Sequence, residues 1–390
     1  MFSIRTMNKI SAKGLDLFSP DTYSVGDEEE NCDAIVVRSA KLHDLEFPDT
    51  LKAIARAGAG VNNIPIDRCS SEGVVVFNTP GANANSVKEL VIAGLMLSAR
   101  QVHQGLSWTR ENAKNPDLAA LVEKEKNRFA GTEIMGKTLG VVGLGAIGVM
   151  VSNAAVALGM RVIGFDPYIS VESAWGLSQF IERAESLDGL LGQADYVTIH
   201  VPLSDSTKGM INAEAIGQMK SGARLLNFAR GGLVDNSAVK DALDSGALSC
   251  YITDFPDAEV ADHPLVLGVP HLGASTEEAE ENCAIMAVKQ LKDFLEHGTI
   301  HNSVNFPDCH LRNAGRRRIL IANRNIPNMV GQITTILAQH SINILDLLNR
   351  HRGDLAYNII DIDGDISDDV VAQLGRVDGV IFARTIPPQA

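Results

Sequence analysis

Arg230, Glu259 and His271 bring a guanidinium, a carboxylate and an imidazole to positions just beyond apolar runs that read as β-strands. An imidazole is suited to taking a proton from a hydroxyl near neutral pH. A carboxylate on its other nitrogen orients the ring, and a guanidinium grips a substrate carboxylate with two parallel hydrogen bonds. Arg230 closes the run Leu225–Ala229, and Gly231-Gly232 free the chain to turn after it. His271 follows the strand Val266–Val269 and Pro270. Glu259 lies beyond Asp254, which ends Cys250–Thr253, and Asp257 in the same acidic stretch is a rival for its role. None of these side chains accepts a hydride, so oxidation of a hydroxyl here needs a redox cofactor.

A second constellation meets that need. Leu139 to Gly148 is an apolar strand running into a G-x-G-x-x-G turn and a helix, and a second strand, Arg161–Phe165, ends on Asp166. Gly143 permits the tight turn, Gly145 lets the backbone approach a pyrophosphate, and Gly148 lets helix and strand pack closely. Ala146 and Ile147 open the helix, whose N-terminus faces the phosphate charge. Asp166 accepts hydrogen bonds from ribose hydroxyls but repels a 2′-phosphate, and Pro167-Tyr168 add no cation. NAD is therefore expected rather than NADP.

Positioning these groups takes more than one core, because 390 residues suggest two or three domains. From Lys137 to Pro270, strands are expected at 138–142, 161–165, 195–199, 223–228, 249–253 and 266–269. Helices are expected between them at 147–158, near 185–193, 212–219 and 236–246. Apolar strands alternating with helices mean a parallel sheet covered on both faces, with ligands beyond the carboxyl ends of the strands. Earlier, 34–38 and 74–77 read as strands, 51–57 as a helix and 86–108 as one long buried helix. A helix is expected from about 275 to 297. Residues 308–315 look like a linker. Beyond it the order strand, helix, strand, strand, helix, strand (317–322, 329–339, 343–350, 357–362, 368–374, 380–385) is a ferredoxin-like βαββαβ module. The formal charge of −14 disfavours nucleic acid and anionic membranes, so any anion site must be built from local cations. Five scattered cysteines without a C-x-x-C pair argue against a disulfide framework or zinc site and fit a reducing cytoplasm. No metal site is expected, and no apolar run is long enough for a membrane span.

The blocks Gly136–Gly140, the Gly143 fingerprint, His200-Val201-Pro202-Leu203 with Thr207, Asn227–Gly232 and Pro270–Thr276 together resemble the D-isomer-specific 2-hydroxyacid dehydrogenases. The resemblance is strong over 130–305 and looser over 35–100. It implies that Arg230 anchors the substrate, Glu259 orients and His271 transfers the proton. It also implies that Asp254 meets the nicotinamide carboxamide and that Pro202, Thr207, Ala229 and Gly273 line the cofactor. One departure is that Glu259 lies only twelve positions before His271, nearer than the family usually has. The resemblance further implies a discontinuous, flavodoxin-like substrate domain (1–86 and 271–305), a Rossmann-type NAD domain (87–270), a linker (306–315) and a terminal module (316–390). Arg38, Ser39 and Asn83 match family positions near the substrate, with Arg38 the candidate phosphate contact or else a surface ion pair. Lys126 and Arg128 are candidates to add charge from a neighbouring subunit.

Residues 316–390 resemble an ACT domain through Asn323–Pro327 before the first helix and Ser341–Ile344 entering the second strand. Asn325 and Asn343 are the candidates for holding an amino-acid zwitterion, L-serine, since amides both donate and accept. The usual Pro-Gly is Pro327-Asn328 here, and the module's alternative role is to pair subunits only. The implied reaction is oxidation of 3-phosphoglycerate to 3-phosphohydroxypyruvate by a homodimer or homotetramer. Two alternatives are another 2-hydroxyacid dehydrogenase or glyoxylate/hydroxypyruvate reductase, and an NAD-responsive protein-binding corepressor.

Overall fold

The computed structural model describes residues 1–312 and 315–388. The chain divides into two compact units, one made of Met1–Ala82 with Glu280 onward and one of Asn83–Ala279.

In the first unit, β1 (Phe2–Met7), β2 (Tyr23–Gly26), β3 (Ala34–Val37), β4 (Ala53–Arg56) and β5 (Val75–Phe77) form a parallel sheet in the order β2-β1-β3-β4-β5. This is a flavodoxin-like order. The central strands are apolar on both faces because both are covered. The helix expected at 51–57 is instead β4, paired with β3 at Ile35–Ile54 and with β5 at Ile54–Val76. Leu51, Ile54 and Ala57 have helix-like spacing, but a short apolar run has no decisive period. Partners on both sides of it decided the outcome. The helix Glu277–His297 buries Ala284, Ala287, Val288, Leu291, Phe294 and Leu295 in one core with Ile4 and Phe77. Gly14 allows the close approach, since a methyl there would lie 2.6 Å from Ala284.

The C-terminal strands β13 (Arg317–Arg324), β14 (Asn343–Arg352), β15 (Leu355–Asp363) and β16 (Val380–Ile386) form an antiparallel sheet ordered β14-β15-β13-β16. With the helices Met329–Gln339 and Asp368–Gly375 this is the expected βαββαβ arrangement. Alternation along β13 serves two faces. Ile319 and Ile321 pack with Ile333, Leu337 and Leu374, whereas Leu320 and Ala322 join Phe294 and Leu295 in the first unit's core. The sheet is therefore not a free-standing module. The start of the expected 306–315 linker is also structural: Phe306 and Cys309 are buried, and Ile300 pairs with Cys309 in an antiparallel bridge. Asn313 and Ala314 of that stretch lie outside the described residues.

Three side chains of this sheet donate to carbonyls at the end of the Glu277–His297 helix. Arg318 Nη1 reaches His297 O at 2.8 Å, Tyr357 Oη reaches Gly298 O at 2.9 Å, and Arg384 Nη2 reaches Phe294 O at 2.9 Å. Cations there match the negative end of the helix dipole. Arg318 is itself buried and pairs with Asp361 through Nε–Oδ1 (2.6 Å) and Nη2–Oδ2 (3.0 Å).

The second unit holds seven parallel strands: β6 (Thr138–Val142), β7 (Arg161–Phe165), β8 (Ile181–Arg183), β9 (Tyr196–Ile199), β10 (Ala223–Asn227), β11 (Leu248–Thr253) and β12 (Val266–Gly268). Their order, β12-β11-β10-β9-β6-β7-β8, reverses direction between β6 and β9, as in a doubly wound dinucleotide-binding sheet. The single helix expected at 86–108 is two, Ala84–Ala99 and Val102–Glu111, with Arg100 extended between them. The break has a tertiary cause. Thr132 N–H takes the carbonyl of Ala99 at 2.9 Å, and a methyl on Gly131 would sit 2.2 Å from that same oxygen.

Arg318→Ala should lower the stability of the first unit by about 3–5 kcal/mol in urea unfolding, because Asp361 is left buried without its partner. The double variant Arg318→Met/Asp361→Leu should recover most of that loss.

Candidate active site

The glycine turn after β6 is shaped by contact rather than by flexibility alone. Gly143 has φ +91°, and a side chain there would meet the carbonyl of His200 at 2.8 Å. Its N–H donates to Phe165 O at 2.9 Å. A methyl on Gly148 would lie 2.0 Å from Gly143 O, so the helix can start this close to the strand only without one. Gly145 faces open space, the approach a pyrophosphate requires. Ala146 and Ile147 begin the helix Ala146–Ala157 behind it. At the end of β7, Asp166 Oδ2 accepts from Leu144 N–H (2.8 Å) and Oδ1 from Tyr168 N–H (2.9 Å). Both bonds fix the carboxylate beside the turn. After β9, Thr207 Oγ1 donates to Pro202 O at 2.6 Å and accepts from Ser204 N–H at 2.8 Å, closing that loop on itself. His200 lies between Gly143 and this loop. Burial pushes its imidazole down to about 3, so it stays neutral.

The carboxyl ends of β10, β11 and β12 carry the expected chemistry. Asn227 is buried and holds the turn at Ala229-Arg230, donating to Arg230 O (2.9 Å) and accepting from Ala229 N–H (3.1 Å). Asp254 follows β11 and is 2% exposed. Its carbonyl accepts from His271 N–H at 2.9 Å and its Oδ2 from Gly273 N–H at 3.1 Å. Burial raises the Asp254 pKa, opposed by the Gly273 N–H and by the charges of His271 and Arg230. Those two charges thus both reach one carboxylate. Asp254 Oδ1 is buried and has no partner among the described residues. A carboxamide donor fits this acceptor, so the site suits a nicotinamide. Ser86 Oγ anchors Gly273 O at 2.8 Å.

Glu259 and Asp257 stand apart from this group. Glu259 is exposed and donates its N–H to Asp257 Oδ1 (3.0 Å), while Asp257 Oδ2 accepts from Asn236 (2.7 Å). Neither makes a hydrogen bond to His271. In the first unit, Arg38 pairs with Glu280 at 2.6 Å. Ser39 lines a cavity of about 620 Å³ with Lys41, His43, Asp44, Arg56, Asn62 and Asn63. Lys41 and Arg56 were not singled out from the sequence. Arg56 ends β4, so reading that run as a helix hid an arginine at the carboxyl end of a strand. Asn83 precedes the helix Ala84–Ala99. Lys126 and Arg128 pair locally with Glu123 (2.5 Å) and Glu125 (3.0 Å). In the C-terminal sheet Asn325 donates to Gly353 O at 3.2 Å. Asn325 follows Arg324, which pairs with Leu355, whereas Asn343 pairs with Asp363. The two asparagines thus lie at opposite ends of β15 within one chain. Asn328 has φ +66°, supplying the left-handed geometry that glycine would otherwise provide.

The glycine turn at the switch of a doubly wound sheet, with arginine and histidine gathered at the same edge, defines a dinucleotide-dependent dehydrogenase. Residues 92–273 match the model of the D-isomer specific 2-hydroxyacid dehydrogenase NAD binding domain. The chain is 34% identical over 370 residues to D-3-phosphoglycerate dehydrogenase of Methanocaldococcus jannaschii, covering 91% of this chain and 67% of that protein. It therefore belongs to the D-isomer specific 2-hydroxyacid dehydrogenases, and NAD is its cofactor. A Bacillus subtilis D-3-phosphoglycerate dehydrogenase is 35% identical over 79% of this chain and 59% of its own length. The chain spans between about half and two thirds of the curated relatives it matches. The NAD+-bound 3-phosphoglycerate dehydrogenase of Entamoeba histolytica superposes with a TM-score of 0.60 at 27% identity, covering 78% of this chain and 98% of that one. No described helix is long and apolar enough to cross a membrane.

Gly145→Ala should leave thermal stability unchanged yet weaken NAD binding by more than about tenfold in a fluorescence titration, because its methyl meets only the cofactor. Gly148→Ala should lower both stability and NAD affinity, because its methyl overlaps the turn itself.

Proposed function

We propose that this chain oxidises 3-phosphoglycerate to 3-phosphohydroxypyruvate with NAD, the entry to L-serine synthesis. What supports this reading is that Arg230 and His271 follow the carboxyl ends of β10 and β12, on either side of β11, whose Asp254 carbonyl accepts the His271 N–H, in the sheet that also bears the glycine turn. His271 takes the proton of the C2 hydroxyl, and Arg230 holds the substrate carboxylate and the oxygen that becomes a carbonyl. When bound, NAD accepts the hydride leaving C2. Asp254, through Oδ1, would hold the carboxamide. Glu259 is the acid assigned to orient His271, with Asp257 its rival. Hydrogen bonds of this kind can be absent from a ligand-free geometry and tighten once substrate binds.

The cavity lined by Lys41 and Arg56 supports a phosphorylated substrate, since it places local cations in a chain of net charge −14. We assign the phosphate to these two residues, with Arg38 and Ser39 beside them and Asn83 near the substrate. The C-terminal sheet is read as an ACT-like regulatory unit that binds L-serine. A pocket using both Asn325 and Asn343 then needs two copies of the chain, which agrees with a homodimer or homotetramer. The exposed edge strand β14 is the surface available for that pairing.

NADH formation at 340 nm with 3-phosphoglycerate tests the reaction. His271→Ala should lower kcat by about 10²–10⁴-fold while NAD still binds. Arg56→Gln should raise KM for 3-phosphoglycerate at least about tenfold but change that for D-glycerate little. An equal effect on both substrates would remove the phosphate assignment. Activity that is unchanged by rising L-serine would remove the regulatory one.

A further inference from the structure

We propose that Phe255 is a positioning residue that sets the orientation of the His271 ring and its spacing from the Arg230 turn. This rests on the acid–base role given to His271 above.

The ring of His271 makes no hydrogen bond to a side chain among the described residues. Its backbone and an aromatic neighbour help to hold it. The backbone is in the left-handed region, φ +43°, and its N–H is shared between Asp254 O (2.9 Å) and Val269 O (3.1 Å). The neighbour is Phe255, whose ring centroid lies 4.6 Å from that of the imidazole with the planes tilted by 48°. A contact of this geometry between rings is attractive and directional, so it limits rotation of the imidazole about its own side-chain bonds.

Phe255 is in turn fixed from two sides. It directly follows Asp254 at the end of β11, and its N–H donates to Thr253 Oγ1 at 3.0 Å. On the other side it packs over Gly231, where an added methyl would lie 3.4 Å from Phe255 Cβ. Gly231 is the residue after Arg230. One aromatic side chain therefore stands between the arginine turn and the histidine loop.

The acidic candidates do not replace it. Asp257 spends both carboxylate oxygens on Asn236 and on the N–H of Glu259, and Glu259 is exposed. With Glu259 only twelve positions before His271, the loop here is short, and the aromatic wall does the orienting that a carboxylate would otherwise do alone. A group that transfers a proton must sit within a few tenths of an ångström of its place, because misplacement by about 1 Å can cost a hundredfold in rate.

The test uses Phe255→Leu, Phe255→Met and Phe255→Tyr in the full-length enzyme, assayed with NAD and 3-phosphoglycerate. Leucine and methionine keep apolar bulk but lack a flat ring. Both should lower kcat at least about tenfold, with KM for 3-phosphoglycerate and Kd for NAD within about threefold of the parent. The isotope effect on kcat with substrate deuterated at C2 should rise, because the chemical step slows. Tyrosine restores the ring and should stay within about twofold of the parent kcat. Parent-like kcat in both ring-less variants would overturn the proposal, as would a tyrosine variant as slow as they are. A loss shared equally by NAD binding would overturn it too, by showing a general packing role. His271→Ala separates the two levels of inference. If it keeps turnover, the acid–base assignment fails first; if it loses turnover while the ring-less variants do not, only the positioning role fails.

Discussion

Asp254 is the constraint on which the candidate site depends. Its main-chain carbonyl and its carboxylate each accept one N–H from the loop that follows β12, from His271 and Gly273. Two bonds to one residue tie this loop to the edge of the sheet, beside the bond from Ser86 to Gly273 O. Two local features accompany them. His271 has a left-handed backbone while its N–H donates to Asp254 O, and a side chain on Gly273 would press on Asp254 Oδ2 at 3.1 Å. The cost is a carboxylate held out of water, visible in its raised pKa. Arginine and imidazole charges nearby reduce that cost. The same burial leaves one oxygen aimed at whatever occupies the site.

A comparable economy governs the C-terminal sheet. A four-stranded antiparallel sheet needs only one face covered, yet both faces of β13 are buried here. The second face lies against the end of the Glu277–His297 helix, where carbonyls without helical partners would otherwise be stranded. Arg318 and Tyr357 satisfy two of them, and Arg384 adds a bond to Phe294 O, which already accepts from Gly298 N–H. Gly298 completes the fit, because a methyl there would overlap Leu320 at 2.4 Å.

Charge acts locally in this molecule. The net negative field works against an anionic substrate at distances up to about 10 Å at moderate salt. Lys41 and Arg56 line one cavity of the first unit, the phosphate site proposed above. Several other cations are paired with carboxylates: Arg38 with Glu280, Lys126 with Glu123 and Arg128 with Glu125. Such exposed pairs contribute little to stability.

Much of the second unit was legible in the residues alone. Its strands are apolar on both faces, and its glycines stand at fixed offsets from a strand end. Its polar residues cluster where strands stop. The βαββαβ order of the C-terminal strands was legible for the same reason, since period-2 and period-3.6 patterns are strong in long elements. Tertiary structure decided the rest. β4 became a strand because β3 and β5 flank it, which turned Arg56 from a helical surface residue into one at a cavity. The long helix broke at Arg100 because a crossing segment took its last carbonyl. Glu259 matched a pattern by position, but its distance from His271 depends on how a short loop folds. Local sequence sets which conformations a segment prefers. Which groups meet across a core is fixed by packing and hydrogen bonds between residues far apart in the chain, and no window along the sequence contains both partners.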